Sequence, residues 1–246
     1  MRLAEKGKVY LVGAGPGDPE LLTVRAARLL QTADVILHDG LVSEEVLELV
    51  HQNAVLTNVG KRCGSPKITQ IGINALMIEA ANAGQSVVRL KSGDPLVFGR
   101  AGEEIAALRD AAIPFEVIPG VTAALAAGAV LGLPLTDRAS ASKLIFCTGY
   151  QAAGKADCTP IWSGPLPEDA TLVVYMPGRD LGRITQELLD AGMRLDMPCC
   201  AISHVATPLQ NHAACRLADF PTLACGPAPL LLLIGRAMES LLLSNI

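Results

Sequence analysis

The sequence predicts an α/β protein of two α/β domains, and three observations lead there. Short apolar runs alternate with segments of helical periodicity through the first half, the pattern of a largely parallel sheet. Glycine-rich turns follow two of those runs, Gly13-Ala14-Gly15-Pro16-Gly17-Asp18 and Ser92-Gly93-Asp94-Pro95, where a strand hands over to a helix. After Pro134 the texture changes, with polar Thr136-Asp137-Arg138 and Ser140 leading into a new strand. A boundary is expected there, giving domains of 1–136 and 137–246.

In chain order, Lys8 to Val12 reads as a strand and Leu21 to Leu30 as a helix that Thr23 can cap. Asp34 to Leu37 is a strand, Ser43 to Val50 and Ile68 to Ala83 are helices, and Ser86 to Leu90 is a strand. A helix over Arg100 to Ala112, a strand over Phe115 to Ile118 and a helix over Val121 to Leu131 complete the first half. Strands are expected over Lys143 to Cys147, Thr171 to Tyr175, Pro198 to Ser203, Leu209 to Cys215 and Leu230 to Ile234. One helix, Leu181 to Ala191, interrupts them, and Gln151 to Asp169, rich in Gly, Pro and small polar residues, reads as a long surface loop.

Half the residues are hydrophobic but only 3% are aromatic, so the core is expected to be aliphatic and the composition argues against base-stacking nucleic-acid platforms. The net charge of -4, with Lys and Arg scattered, leaves no electrostatic footprint for nucleic acid. Seven cysteines contain no C-x-x-C pair, no zinc-site spacing to His and no metal pattern; they read as reduced thiols of a cytoplasmic protein. The start, Met1 to Lys8, lacks the apolar stretch of a secretory signal. Val117 to Thr136 runs 20 residues without a charge, approaching transmembrane length, yet Pro119-Gly120, Gly132 and Pro134 break it. The expectation is a buried core helix and no membrane span.

The first glycine loop reads either as a tight turn or as a ligand loop. A dinucleotide fingerprint would place its third glycine at position 18, where Asp18 stands, and a carboxylate there repels a pyrophosphate. A nicotinamide-dependent oxidoreductase is therefore the rival from a different class. The second loop also leaves a strand's carboxyl end, the edge at which open α/β sheets bind ligands. Two such loops present amides and hydroxyls with few fixed cations, which suits a zwitterionic sulfonium such as S-adenosylmethionine.

The segments Val12 to Asp18, Asp39-Gly40-Leu41-Val42, Val59-Gly60-Lys61-Arg62, Val88 to Arg100 and Ile118 to Ala123 occur in order over about Lys8 to Asp219. Together they resemble the tetrapyrrole methylase family, and within it the uroporphyrinogen-III C-methyltransferases. The resemblance implies two α/β domains with the active site in the cleft between them, a homodimer, and no metal. It implies S-adenosylmethionine as methyl donor, S-adenosylhomocysteine as product, and a small-molecule tetrapyrrole as substrate. The reaction would methylate uroporphyrinogen III at carbons 2 and 7, giving precorrin-2 by way of precorrin-1, toward sirohaem or cobalamin. The alternative within the family is another corrinoid precursor.

By the same resemblance, Pro16 lies against the cofactor, Ser92, Gly93, Asp94 and Val97 cradle it, and Thr122, Ala123, Met176 and Val205 complete the pocket. Asp39 is implied as proton acceptor and Lys61 as proton donor. On the residues alone, an Asp before glycine is also a common turn residue and a lone Lys a solvated one. Arg62, Lys91 and Arg100, with Lys61, are the cations expected to meet the eight substrate carboxylates; Arg100 could instead pair with Glu103 or Glu104. Three positions depart from the pattern: His38-Asp39-Gly40 where relatives read Tyr-Asp-Arg, Asp137 where they often have His, and Pro177 inserted between Met176 and Gly178.

Overall fold

The structure, a computed structural model, describes residues 3–60, 68–149, 161–162 and 164–243. The chain divides into two compact units, Met1–Ala123 and Ala124–Ile246.

The first unit holds β1 (Val9–Gly13), α1 (Val24–Leu30), β2 (Val35–His38), α2 (Glu44–Leu47), β3 (Val55–Asn58), α3 (Gln70–Asn82), β4 (Val87–Lys91), α4 (Ala101–Asp110) and β5 (Phe115–Ile118). Its five strands are all parallel, in the order β3-β2-β4-β1-β5. Strands β1 and β4 lie side by side and are buried along their whole length. That follows from layers on both faces, because alternate side chains of one strand enter opposite cores. Tyr10, Val12, Ile36, Val88 and Leu90 pack with Leu29, Leu30 and Val46 on one face. Val9, Leu11, Leu37 and Val87 pack with Ile73, Met77 and Leu108 of α3 and α4 on the other.

The second unit begins within α5 (Ala123–Val130) and continues with β6 (Lys143–Thr148), β7 (Ala170–Tyr175), α6 (Leu181–Asp190), β8 (Pro198–Ser203), β9 (Asn211–Arg216), β10 (Leu230–Ile234) and α7 (Glu239–Leu243). The sheet order is β6-β7-β10-β8-β9, with only β6 and β7 parallel. The apolar face of α6, Leu181, Ile184 and Leu188, packs with Leu172, Val174, Ala201, Phe220 and Leu232. Cys199 and Cys200 fall on opposite faces of β8; burial pushes both thiols up, Cys200 to about 12, so neither is a reactive thiolate.

The helix expected over Leu21 to Leu30 is in fact a 3-10 turn, Pro19–Leu21, followed by α1, whose Thr23 side chain accepts from the Ala26 amide at 3.2 Å. The helix expected to reach Val50 stops at Leu47, because the Leu49 and Val50 amides bond three residues back instead of four. Strand β3 and helix α7 lie outside the sequence expectation. The textural boundary at 136/137 falls inside the second unit. There Gly132 ends α5 and the chain folds back, so that a Cβ on Gly128 would meet Leu135 Cγ at 2.9 Å. The uncharged stretch 117–136 is thus the end of β5, the short α5 and its turn. No helix of the described residues is long and apolar enough to cross a membrane.

At the amino edge of the first sheet, Asp34 joins the starts of β2 and β4. Its carboxylate accepts from Lys6 Nζ at 2.6 and 2.8 Å, from the Ser86 amide at 2.7 Å and from Ser86 Oγ at 2.6 Å. These donors, Lys6 first, lower its pKa to about 2. Because the folded value lies below the unfolded one, the stabilisation is complete above pH 4 and is lost as pH falls toward 2. With a third of the side chain in water, its screened worth is about 1 kcal/mol. Asp34→Asn is expected to flatten the acid limb of stability between pH 4 and 2, as read by urea unfolding at each pH.

Candidate functional site

Three loops leave the carboxyl ends of β1, β4 and β5 in the first unit, and their backbones touch directly. The Ala14 amide donates to the Lys91 carbonyl at 2.7 Å. Gly15 and Gly93 exchange two bonds, Gly93 N to Gly15 O at 2.7 Å and Gly15 N to Gly93 O at 3.2 Å. Both glycines sit at positive φ, 71° and 68°. The third loop closes over them: a Cβ on Gly120 would lie 2.3 Å from Gly93 O and 2.8 Å from Gly13 Cα. Asp94 ties the closure, its Oδ2 accepting from the Gly120 amide at 3.0 Å and its Oδ1 from the Leu96 amide at 2.8 Å. Asp18 is spent locally as a cap, accepting from the Glu20 amide at 2.8 Å.

Beneath this edge lies a buried network of charges. Strand alternation sends Arg89 and Lys91 to the face of β4 covered by α4, where Glu104 meets them. Arg89 donates through Nε to Glu104 Oε1 at 2.9 Å, through Nη1 to the carbonyls of Leu37 and Leu90 at 3.2 Å each, and through Nη2 to Asp39 Oδ1. Lys91 Nζ lies 3.0 Å from both Glu104 oxygens. Glu104 is fully buried and Arg89 and Lys91 nearly so, whereas Asp39 keeps 29% of its side chain exposed. Burial pushes the Lys91 ammonium below the ordinary lysine value and Arg89 pushes the same way, against the pull of Glu104.

Residues 8–221 match the family model of the Tetrapyrrole (Corrin/Porphyrin) Methylases. The chain belongs to this family. An S-adenosyl-L-methionine-dependent uroporphyrinogen III methyltransferase of Arabidopsis thaliana is 47% identical over 236 residues, 95% of this chain and 64% of the plant protein. The siroheme synthase of Acinetobacter baylyi is 45% identical over 243 residues, and the chain spans only 52% of its length. Among solved structures, a uroporphyrin-III-C-methyltransferase from Thermus thermophilus is 42% identical with a TM-score of 0.80, covering 95% of this chain and 96% of that one. A second Thermus thermophilus structure, complexed with S-adenyl homocysteine, is 38% identical with a TM-score of 0.77, covering 95% of this chain and 99% of that one.

This tetrapyrrole methylase chain gathers Pro16, Ser92, Gly93, Asp94, Val97, Thr122 and Ala123 on the three loops of the first unit. Asp94 serves there by holding two loops together with its carboxylate. Met176 and Val205 belong to the second unit, just past the ends of β7 and β8. Met176, His204 and Ala206 have positive φ, as do Phe98, Arg100 and Ala112 in the first unit. Lys61 and Arg62 lie outside the described residues. Lys91, expected to face substrate, is buried against Glu104. Arg100 pairs with Glu103 by two bonds of 2.7 Å at the surface. The arginine absent at position 40 has a substitute, since Arg89 supplies a guanidinium to Asp39 from within the sheet. Asp137 caps its own turn, accepting from the amides of Ala139 and Ser140, which hold its carboxyl below the usual range.

Sequence reasoning offered Glu104 only to Arg100 and missed its pairing with Arg89 and Lys91. The signal was present: two cations two residues apart on an otherwise apolar five-residue strand require a buried counter-ion.

The backbone contact at Gly120 leaves no room for a methyl group. Gly120→Ala is expected to cost about 1–3 kcal/mol and to displace the loop. The control Gly102→Ala, in α4 with open space around it, is expected to gain about 0.5 kcal/mol. Chemical denaturation of the two variants distinguishes them.

Proposed function

We propose that this chain is an S-adenosylmethionine-dependent uroporphyrinogen-III C-methyltransferase, methylating carbons 2 and 7 to give precorrin-2 by way of precorrin-1, for sirohaem or cobalamin synthesis. The observation that carries the reading is the match, over nearly the whole of both chains, to the Thermus thermophilus enzyme. The geometry fits a cofactor without phosphates. The three loops pack too closely for side chains, the amides of Ala14, Gly15, Gly93 and Gly120 are already paired, and Asp18 stands where a pyrophosphate would be opposed. The nicotinamide alternative is thereby disfavoured.

When bound, S-adenosylmethionine supplies a methyl group on a sulfonium for in-line transfer to carbon. The protein's part is to hold the two reactants together and to move protons. Pro16, Ser92 to Asp94, Val97, Thr122 and Ala123 of the first unit would hold the cofactor, and Met176 and Val205 are the further positions that the family resemblance adds. Asp39 presents its carboxylate with Oδ1 fixed by Arg89, leaving Oδ2 without a hydrogen bond among the described residues, an arrangement suited to accepting a proton. Lys61 is assigned as donor, and Arg62 and Arg100 as partners of substrate carboxylates. Our reading includes a homodimer and a cytoplasmic location.

Incubating the purified protein with S-adenosylmethionine and uroporphyrinogen III is expected to add one and then two methyl groups to the tetrapyrrole, read by mass spectrometry. No mass gain would contradict the reading. Asp39→Asn is expected to lower kcat by about 10²-fold or more while S-adenosylhomocysteine still binds.

A further inference from the structure

The wholly buried carboxylate of Glu104 has no direct path to a substrate, yet it is bound by three donors at one oxygen. Glu104 Oε1 takes Arg89 Nε at 2.9 Å, Lys91 Nζ at 3.0 Å and Gln70 Nε2 at 3.3 Å. Gln70 opens α3, Glu104 lies in the first turn of α4, and Arg89 and Lys91 belong to β4, so one oxygen gathers three elements. We propose that Glu104 is a positioning residue for the proton-transferring carboxylate of Asp39 and acts through Arg89. This rests on the reading of Asp39 given above.

The guanidinium is planar and rigid, so its orientation is determined once two of its nitrogens are fixed. Glu104 fixes Nε, and the Leu37 and Leu90 carbonyls, at the ends of β2 and β4, fix Nη1. Nη2 is then left in one place, and there it meets Asp39 Oδ1. The carboxylate sits directly after β2 on a loop whose own packing is tight, a Cβ on Gly60 falling 2.1 Å from the Gly40 amide nitrogen. A tether to the sheet interior therefore holds the side chain while the neighbouring loop holds the backbone. Lys91 completes the set as a second counter-ion, which leaves two buried cations balanced by Glu104 and Asp39.

The test is a double-mutant cycle on kcat. Glu104→Leu alone would strand Lys91 as an unpaired buried cation, so it is made together with Lys91→Met, which keeps the interior neutral. Thermal melting and titration with S-adenosylhomocysteine report whether the variants fold. The pair is expected to lower kcat by about 10-fold or more with KM for the tetrapyrrole changed less than about threefold, because a misplaced catalytic group is lost from the transition state. Glu104→Gln made with the same Lys91→Met, which keeps an acceptor for Nε, is expected to recover most of that loss. In an Asp39→Asn, Arg89→Met background, which removes the link without stranding a buried cation, the same pair is expected to cost less than about twofold more. An undiminished loss in that background would overturn the proposal, and so would an unchanged kcat in the wild-type background. If Asp39→Asn itself leaves kcat unchanged, the role of Asp39 fails and this proposal fails with it, an outcome separate from the other two.

Discussion

The contact on which the rest of this structure depends is the meeting of three backbones at Gly13, Gly93 and Gly120. A parallel sheet ends in loops that ordinarily diverge, and each must find partners for its freed amides and carbonyls. Here the loops after β1, β4 and β5 satisfy one another, with Gly15 and Gly93 continuing the ladder one step past the sheet and Asp94 binding the third loop. The price is glycine at each crossing. The return is a fixed edge of polar backbone at the place where open α/β sheets bind ligands.

The same strand that carries one of these loops also carries the buried charges. A cation within a sheet core is costly unless paired, and removing one partner of such a pair commonly costs about 3–5 kcal/mol. Arg89 and Lys91 are tolerated in β4 because α4 brings Glu104 over that face, and because Asp39 follows β2 on the same side. Replacement of this group by apolar residues would relieve the desolvation, so stability alone does not account for it. The proposed orientation of Asp39 supplies a further reason.

Much of the fold was legible because local chemistry and tertiary structure agree. The ends of β5, β8 and β10 coincide with the limits of their apolar runs, and Thr23 caps the helix that it was expected to cap. Strand β3 was not legible: it is a sheet edge, with Val55 and Leu56 exposed, so its pattern carries no burial signal. The glycine turns after β1 and β4 were legible too, through their spacing. The partners of Asp39 were not, since Arg89 and Glu104 reach it across 50 and 65 positions and only the pairing of strands and helix brings them together. Lys91 carried the opposite error, for a lysine beside a ligand loop reads as exposed until the strand's alternation turns it inward.

The most direct test of the account is a crystal structure with S-adenosylhomocysteine. The ligand is expected against the backbone of Pro16, Ser92 to Asp94 and Thr122, at the carboxyl edge of β1, β4 and β5. Ligand density at any other surface, or no binding at saturating concentration, would contradict it.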